Sequence, residues 1–133
     1  MEEEPQIQHV FVYGTLKKDY FEPQYEIDIR DIIRFEGEGT IKGSMYTTGS
    51  YPFVILGGEE QVKGFLYFCF DIKKVLDKYD AVEGLGNLFQ REVVDVQMED
   101  GSIVKSYIYT ALEGLKERYM NPNNRIQSGE WND

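Results

Sequence analysis

The segment from Phe35 to Tyr46 limits what this chain can fold into more than any other, because Gly37, Gly39 and Gly43 interrupt an otherwise β-favouring run. Glycine inside a strand weakens it and marks a bulge, a tight bend or the close approach of another backbone. Three of them so close together predict a bent, bulged strand in a strongly curved sheet, and such curvature points to a barrel. The same residues, Gly37-Glu38-Gly39-Thr40-Ile41-Lys42-Gly43, superficially look like a dinucleotide-binding loop. The third glycine is one residue late for that and no helical pattern follows, so the bulged strand is kept.

The rest of the chain fits a curved sheet. His9-Val10-Phe11-Val12-Tyr13 reads as a buried strand ended by Gly14. Thr15 to about Arg34 is mixed, with Pro23 and several charges, and predicts a loop with at most one short helix. Gly49-Ser50-Tyr51-Pro52 is a turn, Phe53 to Leu56 a short strand, and Gly57-Gly58 a further turn before the long apolar strand Val62 to Phe70. Asp71 is an N-cap candidate, followed by Ile72, Val75, Leu76 and Tyr79 at the spacing of one helical face. Arg91 to Met98 alternates, with Val94, Val96 and Met98 on one side. Glu99-Asp100-Gly101-Ser102 then turns into a strand from Ile103 to Thr110. Glu113 to Asp133 carries little periodicity. About six strands and one clear helix give an α+β fold, a small mixed and mostly antiparallel β-barrel with a few flanking helices.

Composition narrows the function classes. The 133 residues suit one domain, with a mobile acidic lead over 1–8 and a single domain over 9–133. Ten tyrosines and eight phenylalanines can build its core. Fourteen Lys and Arg against 24 Asp and Glu leave a net charge of −10, which disfavours nucleic acid and anionic membrane surfaces. One cysteine and one histidine are too few for a zinc site or an internal disulfide, and triad chemistry could draw only on His9. No apolar stretch approaches the roughly 20 residues of a membrane span, and Met1-Glu2-Glu3-Glu4-Pro5 has the wrong sign for a signal peptide. A cytoplasmic protein without metal or cofactor is expected.

Two features could carry chemistry. Glu83 lies eleven residues beyond Ile72; at about 100° per residue that is about 1100°, about 20° from the direction of Ile72. If the helix persists, its carboxylate follows the apolar stripe, with Gly84 as C-terminal cap. A carboxylate partly withdrawn from water has a raised pKa and can take and return a proton. If the helix ends near Asp80, Glu83 is a loop carboxylate in water. The second feature is the junction Val12-Tyr13-Gly14-Thr15-Leu16, either an ordinary turn or a run of backbone N–H groups able to bind a carboxylate or an oxyanion. Cys69, within the strand Phe68-Cys69-Phe70, reads as a small buried apolar residue.

Taken together these features resemble a known family. Phe11-Val12-Tyr13-Gly14-Thr15-Leu16-Lys17 resembles the opening signature of the γ-glutamylcyclotransferase-like proteins, which include γ-glutamylamine cyclotransferase and the AIG2-like group. Further similarities follow in order: Ser50-Tyr51-Pro52, Val62-Lys63-Gly64-Phe65-Leu66-Tyr67, Asp80-Ala81-Val82-Glu83-Gly84, Leu88-Phe89-Gln90-Arg91 and Ile126-Gln127-Ser128-Gly129-Glu130-Trp131. They span residues 11 to 131. Phe89 stands where the family often has Tyr, and Lys17-Lys18-Asp19-Tyr20 lacks the glycine and asparagine that commonly follow the opening motif.

The resemblance implies a pocket floored by Tyr13, Gly14, Thr15 and Leu16, with Glu83 as the acid/base. It also implies a small-molecule γ-glutamyl substrate whose α-amine attacks its own γ-carbonyl, releasing an amine and 5-oxoproline, the work of a transferase or lyase. The alternative from another class is a non-catalytic module that binds a small molecule in the same pocket. A monomer or dimer is the expected assembly.

Overall fold

The computed structural model describes residues 7–13, 21–22, 27–28, 32–49, 52–83 and 89–130. Its strands are β1 (His9–Val12), β2 (Phe21–Glu22), β3 (Ile27–Asp28), β4 (Ile33–Thr47), β5 (Pro52–Cys69), β6 (Phe89–Met98), β7 (Ile103–Ala111) and β8 (Arg125–Ile126). Two helices, α1 (Ile72–Glu83) and α2 (Glu113–Tyr119), accompany them. Going round the sheet, the order β5-β1-β7-β6-β4 closes because β4 also pairs with β5, and β8 lies beside β4. Only β1 and β7 pair in parallel; every other neighbour in this ring is antiparallel. The expected α+β fold with a mixed, mostly antiparallel barrel is therefore the observed one. β2 and β3 form a separate antiparallel pair within the stretch read from sequence as a loop.

The glycines of β4 act as anticipated. Phe35 pairs with Tyr67 and Gly37 with Leu66, so Glu36 is one residue too many on β4, and Gly37 takes a φ of 131° beside this bulge. The second irregularity corrects the sequence reading. Lys42 pairs with Gln61 and the next residue, Gly43, with Leu56, so residues 57–60 bulge out of a continuous β5. Gly57 and Gly58 both have positive φ, as a turn requires. The chain leaves the sheet there and returns to the same neighbour, which makes one strand of the two expected.

Side-chain alternation along β1 divides the interior into two layers. Phe11 and Tyr13 join Ile41, Met45, Leu66, Val96 and Ile108 inside the barrel. Val10 and Val12 face outward and pack with Val75 and Leu76 of α1 and Leu115 of α2. Burying a side chain of this size contributes about 1.5–3 kcal/mol relative to leaving it exposed, so a strand buried on both faces anchors both layers. The inner layer is narrow. A methyl group at Gly64 would lie 2.5 Å from the Val12 carbonyl oxygen and 2.6 Å from the Phe11 ring.

Helix α1 starts as its sequence indicates, with the Lys74 N–H donating to Asp71 Oδ1 at 3.2 Å. Helix α2 and the short β8 correct the expectation of an unpatterned C-terminal stretch. α2 has seven residues, no side-chain cap and a single buried residue, Leu115, so it leaves little periodic trace. Among the described residues no helix is long and apolar enough to cross a membrane.

Candidate active site

Because β1 runs parallel to β7, the C-terminal ends of both strands lie at the same end of the barrel, where β6 begins. This end is called the mouth below. Tyr13 is the first residue beyond β1 and is only 6% exposed. Its hydroxyl donates to the Tyr109 carbonyl at 2.5 Å. The Tyr109 side chain belongs to the outer layer, and its hydroxyl donates to the Leu76 carbonyl of α1 at 3.4 Å. Tyr13, β7 and α1 are thus linked through a hydrogen-bonded aromatic pair.

Glu83 is the last residue of α1, so the helix does persist past Asp80. The direction of its carboxylate, and Gly84 as a cap, lie outside the described residues. So do Gly14, Thr15 and Leu16, which continue the chain from Tyr13. Phe89 opens β6 opposite Ala111, six residues after Glu83. The backbone thus brings the residue before the Gly14 junction to the end of the barrel that the chain reaches soon after Glu83. Arg91, from the same motif as Phe89, stacks its guanidinium 5.6 Å from the Tyr107 ring centroid.

One polar pair at the mouth has no counterpart in the sequence reading. The Thr110 hydroxyl, on a residue 2% exposed, donates in a short hydrogen bond to the half-buried carboxylate of Glu92. Glu92 occupies the same face of β6 as Val94, Val96 and Met98, and that alternation was the signal that could have singled it out.

Other polar candidates are excluded by their surroundings. The Cys69 thiol is fully buried, and burial pushes its pKa up to about 12, so it stays protonated and inert at neutral pH. His9 stands at the opposite end of β1, its ring edge-on to Phe68 and Nε2 3.9 Å from Glu36 Oε1. Burial lowers its pKa, outweighing the pull of Glu36, and Arg34 lowers it further. No group of three or more potential metal ligands occurs among the described residues. One cavity of about 500 Å³ lies on the outer wall of β4, β5 and β6, lined by Thr40, Lys63 and Gln97 among others. A second, of about 440 Å³, lies at the far end beside His9 and Ser102. Neither is lined by Tyr13, Thr110 or Glu92.

Comparison with known proteins agrees with this architecture. The sequence matches the family described as gamma-glutamyl cyclotransferase, AIG2-like, over residues 10–133. No curated protein matches it. Among solved structures, an AIG2-like protein from Mus musculus is 22% identical with a TM-score of 0.69, over 96% of this chain and 90% of that one. YtfP from Escherichia coli is 22% identical with a TM-score of 0.64, over 94% of this chain and 96% of that one. YkqA from Bacillus subtilis, also 22% identical with a TM-score of 0.64, matches over 95% of this chain but 40% of its own length. At these identities the likeness is one of fold. With the family match running from within β1 to Asp133, the chain belongs to the gamma-glutamyl cyclotransferase, AIG2-like family.

Proposed function

We propose that the protein is a γ-glutamylcyclotransferase that converts a γ-glutamyl amine or γ-glutamyl amino acid into 5-oxoproline and a free amine, with Glu83 as general acid/base. The observation that carries this reading is the extent of α1, which keeps helical geometry through to Glu83 and so holds that residue in phase with the buried Ile72 and Leu76. Family membership supports the reaction class.

In this mechanism the substrate brings its own nucleophile. Glu83 takes a proton from the α-ammonium, and the freed amine attacks the γ-carbonyl carbon. A new C–N bond forms, the bond to the departing nitrogen breaks, and Glu83 relays two protons in turn from the attacking nitrogen, which becomes the lactam N–H, to the departing one, which leaves as an ammonium. Backbone N–H groups of Gly14, Thr15 and Leu16 bind the α-carboxylate or the developing oxyanion, and Tyr13 forms a wall. Holding amine and carbonyl in contact supplies much of the acceleration, since well-oriented intramolecular reactions reach effective molarities of about 10⁵ M or more. General acid/base catalysis adds a factor of about 10²–10⁴. No thiol, metal or serine is needed. A small-molecule substrate and a cytoplasmic setting belong to the same reading.

Glu83→Gln preserves shape and removes the base. Its release of 5-oxoproline from γ-glutamyl-ε-lysine, γ-glutamyl-alanine or glutathione, whichever the unaltered protein accepts, should fall by about 10²–10⁴. An undiminished rate excludes Glu83. If the unaltered protein binds these compounds without releasing 5-oxoproline, it is a binding module instead.

A further inference from the structure

The inner row of β6 runs Glu92, Val94, Val96, Met98, and only its first member is polar enough to want water. A carboxylate drawn into an apolar row costs free energy unless it is hydrogen-bonded. Here the buried Thr110 hydroxyl binds it from the neighbouring strand. A buried threonine can satisfy its hydroxyl with a backbone carbonyl, so the fold does not require this carboxylate. Positions that break an otherwise consistent pattern are where function is expected.

Its place in the fold suggests what it meets. Gln90 pairs with Thr110 and Glu92 with Ile108, which puts the Glu92–Thr110 pair at the mouth, one residue from the Tyr109 carbonyl that Tyr13 binds. Glu92, Thr110 and Tyr13 therefore share one stretch of wall across β6, β7 and β1. In a γ-glutamyl group the α-ammonium and α-carboxylate are attached to one carbon. On the pocket reading above, which seats the α-carboxylate next to Tyr13, the ammonium lies beside that wall.

We propose that Glu92, oriented by Thr110, receives the α-ammonium of the γ-glutamyl group and selects substrates with a free amine there. The inference rests on the pocket reading above and divides the work between two carboxylates. Glu92 docks the ammonium; Glu83 removes its proton.

Binding measured by calorimetry tests this without turnover. S-Butyl-L-homocysteine sulfoxide keeps the amino-acid end but offers no acyl carbon, so it cannot cyclise; 4-(butylsulfinyl)butanoic acid is the same molecule without the amine. The unaltered protein should bind the first more tightly by about 10- to 100-fold, the range for a hydrogen bond to a charged group. Glu92→Gln, which can still accept from Thr110, should lose most of that preference by weakening the amino compound alone. Thr110→Val should lose a smaller part. A preference unchanged in Glu92→Gln overturns the proposal, and so does equal weakening of both compounds, which would mark Glu92 as structural. If neither compound binds the unaltered protein, the pocket reading fails and this inference with it. Loss of the preference in Glu92→Gln alongside undiminished 5-oxoproline release by Glu83→Gln overturns the Glu83 assignment and supports that of Glu92.

Discussion

The two ends of the barrel both carry carboxylates, but they hold them differently. At the mouth, Glu92 is bound by a buried threonine, and Tyr13 reaches a buried carbonyl one residue away. At the far end, the β6–β7 hairpin sets Glu99 and Asp100 in water beside His9 and Glu36, around a cavity of about 440 Å³. Asp100 accepts only local bonds, from the Ser102 N–H at 2.9 Å and the Ser102 hydroxyl at 2.6 Å. These bonds lower its pKa and keep it ionised. Glu36 pairs with Arg34 at 3.0 Å, an exposed bridge of the kind that contributes little. Among the described residues the far end has more carboxylates, yet none of them is fixed by a buried group. What distinguishes the mouth from the charged far end is the burial of the partner, not the number of charges.

That contrast can be tested from both sides. The largest effect is expected on β1, whose end supports the mouth. Gly64→Ala pushes a methyl group against the Val12 carbonyl and the Phe11 ring, and overpacking of this kind costs about 1–3 kcal/mol, measurable by urea unfolding. Displacement of β1 should also lower whatever activity Tyr13 helps to form. An effect limited to the far end is expected from His9→Gln. The folded pKa of His9 lies below 6.5 because burial disfavours its charge, so the unfolded chain binds the proton first as pH falls. Stability therefore declines as pH drops from 6.5 towards the lowered folded value, and His9→Gln should flatten that decline while leaving stability above 6.5 nearly unchanged. Unfolding curves on either side of pH 6.5 would check it; an equally steep decline in the variant would refute it. The smallest effect is expected for Glu99→Gln, within about 0.5 kcal/mol in stability and without change in 5-oxoproline release. A large loss there would erase the distinction between the two ends.

The features legible in the sequence are those whose cause is local. The β4 bulge at Glu36 announces itself through Gly37, and α1 through the Asp71 cap and its four-residue apolar face. Gly57-Gly58 is ambiguous in the sequence because a glycine pair looks alike whether the chain turns to a new neighbour or returns to the old one. Only the pairing of Lys42 and Gly43 tells these apart. Helix α2 leaves no periodic signal because Leu115 alone is buried on it. Of the candidate site, Tyr13 and Glu83 could be named from the chain, but the contact of Tyr13 with Tyr109 spans 96 residues and that of Glu92 with Thr110 spans 18. The alternation of β6 could have singled out Glu92 as a polar residue on an apolar face; nothing local points to its partner.

The position of β1 has a consequence for how the protein comes into being. It is the first barrel strand to be synthesised, yet its two neighbours are β5, paired through Phe65 to Phe68, and β7, paired at Tyr107. Such distant partners slow folding, because a long loop must close before the contacts that reward closure can form. The Tyr13–Tyr109 hydrogen bond joins residues 96 apart and cannot form until β7 has left the ribosome. The mouth therefore stays incomplete until β7, the last of the barrel strands in chain order, has been made.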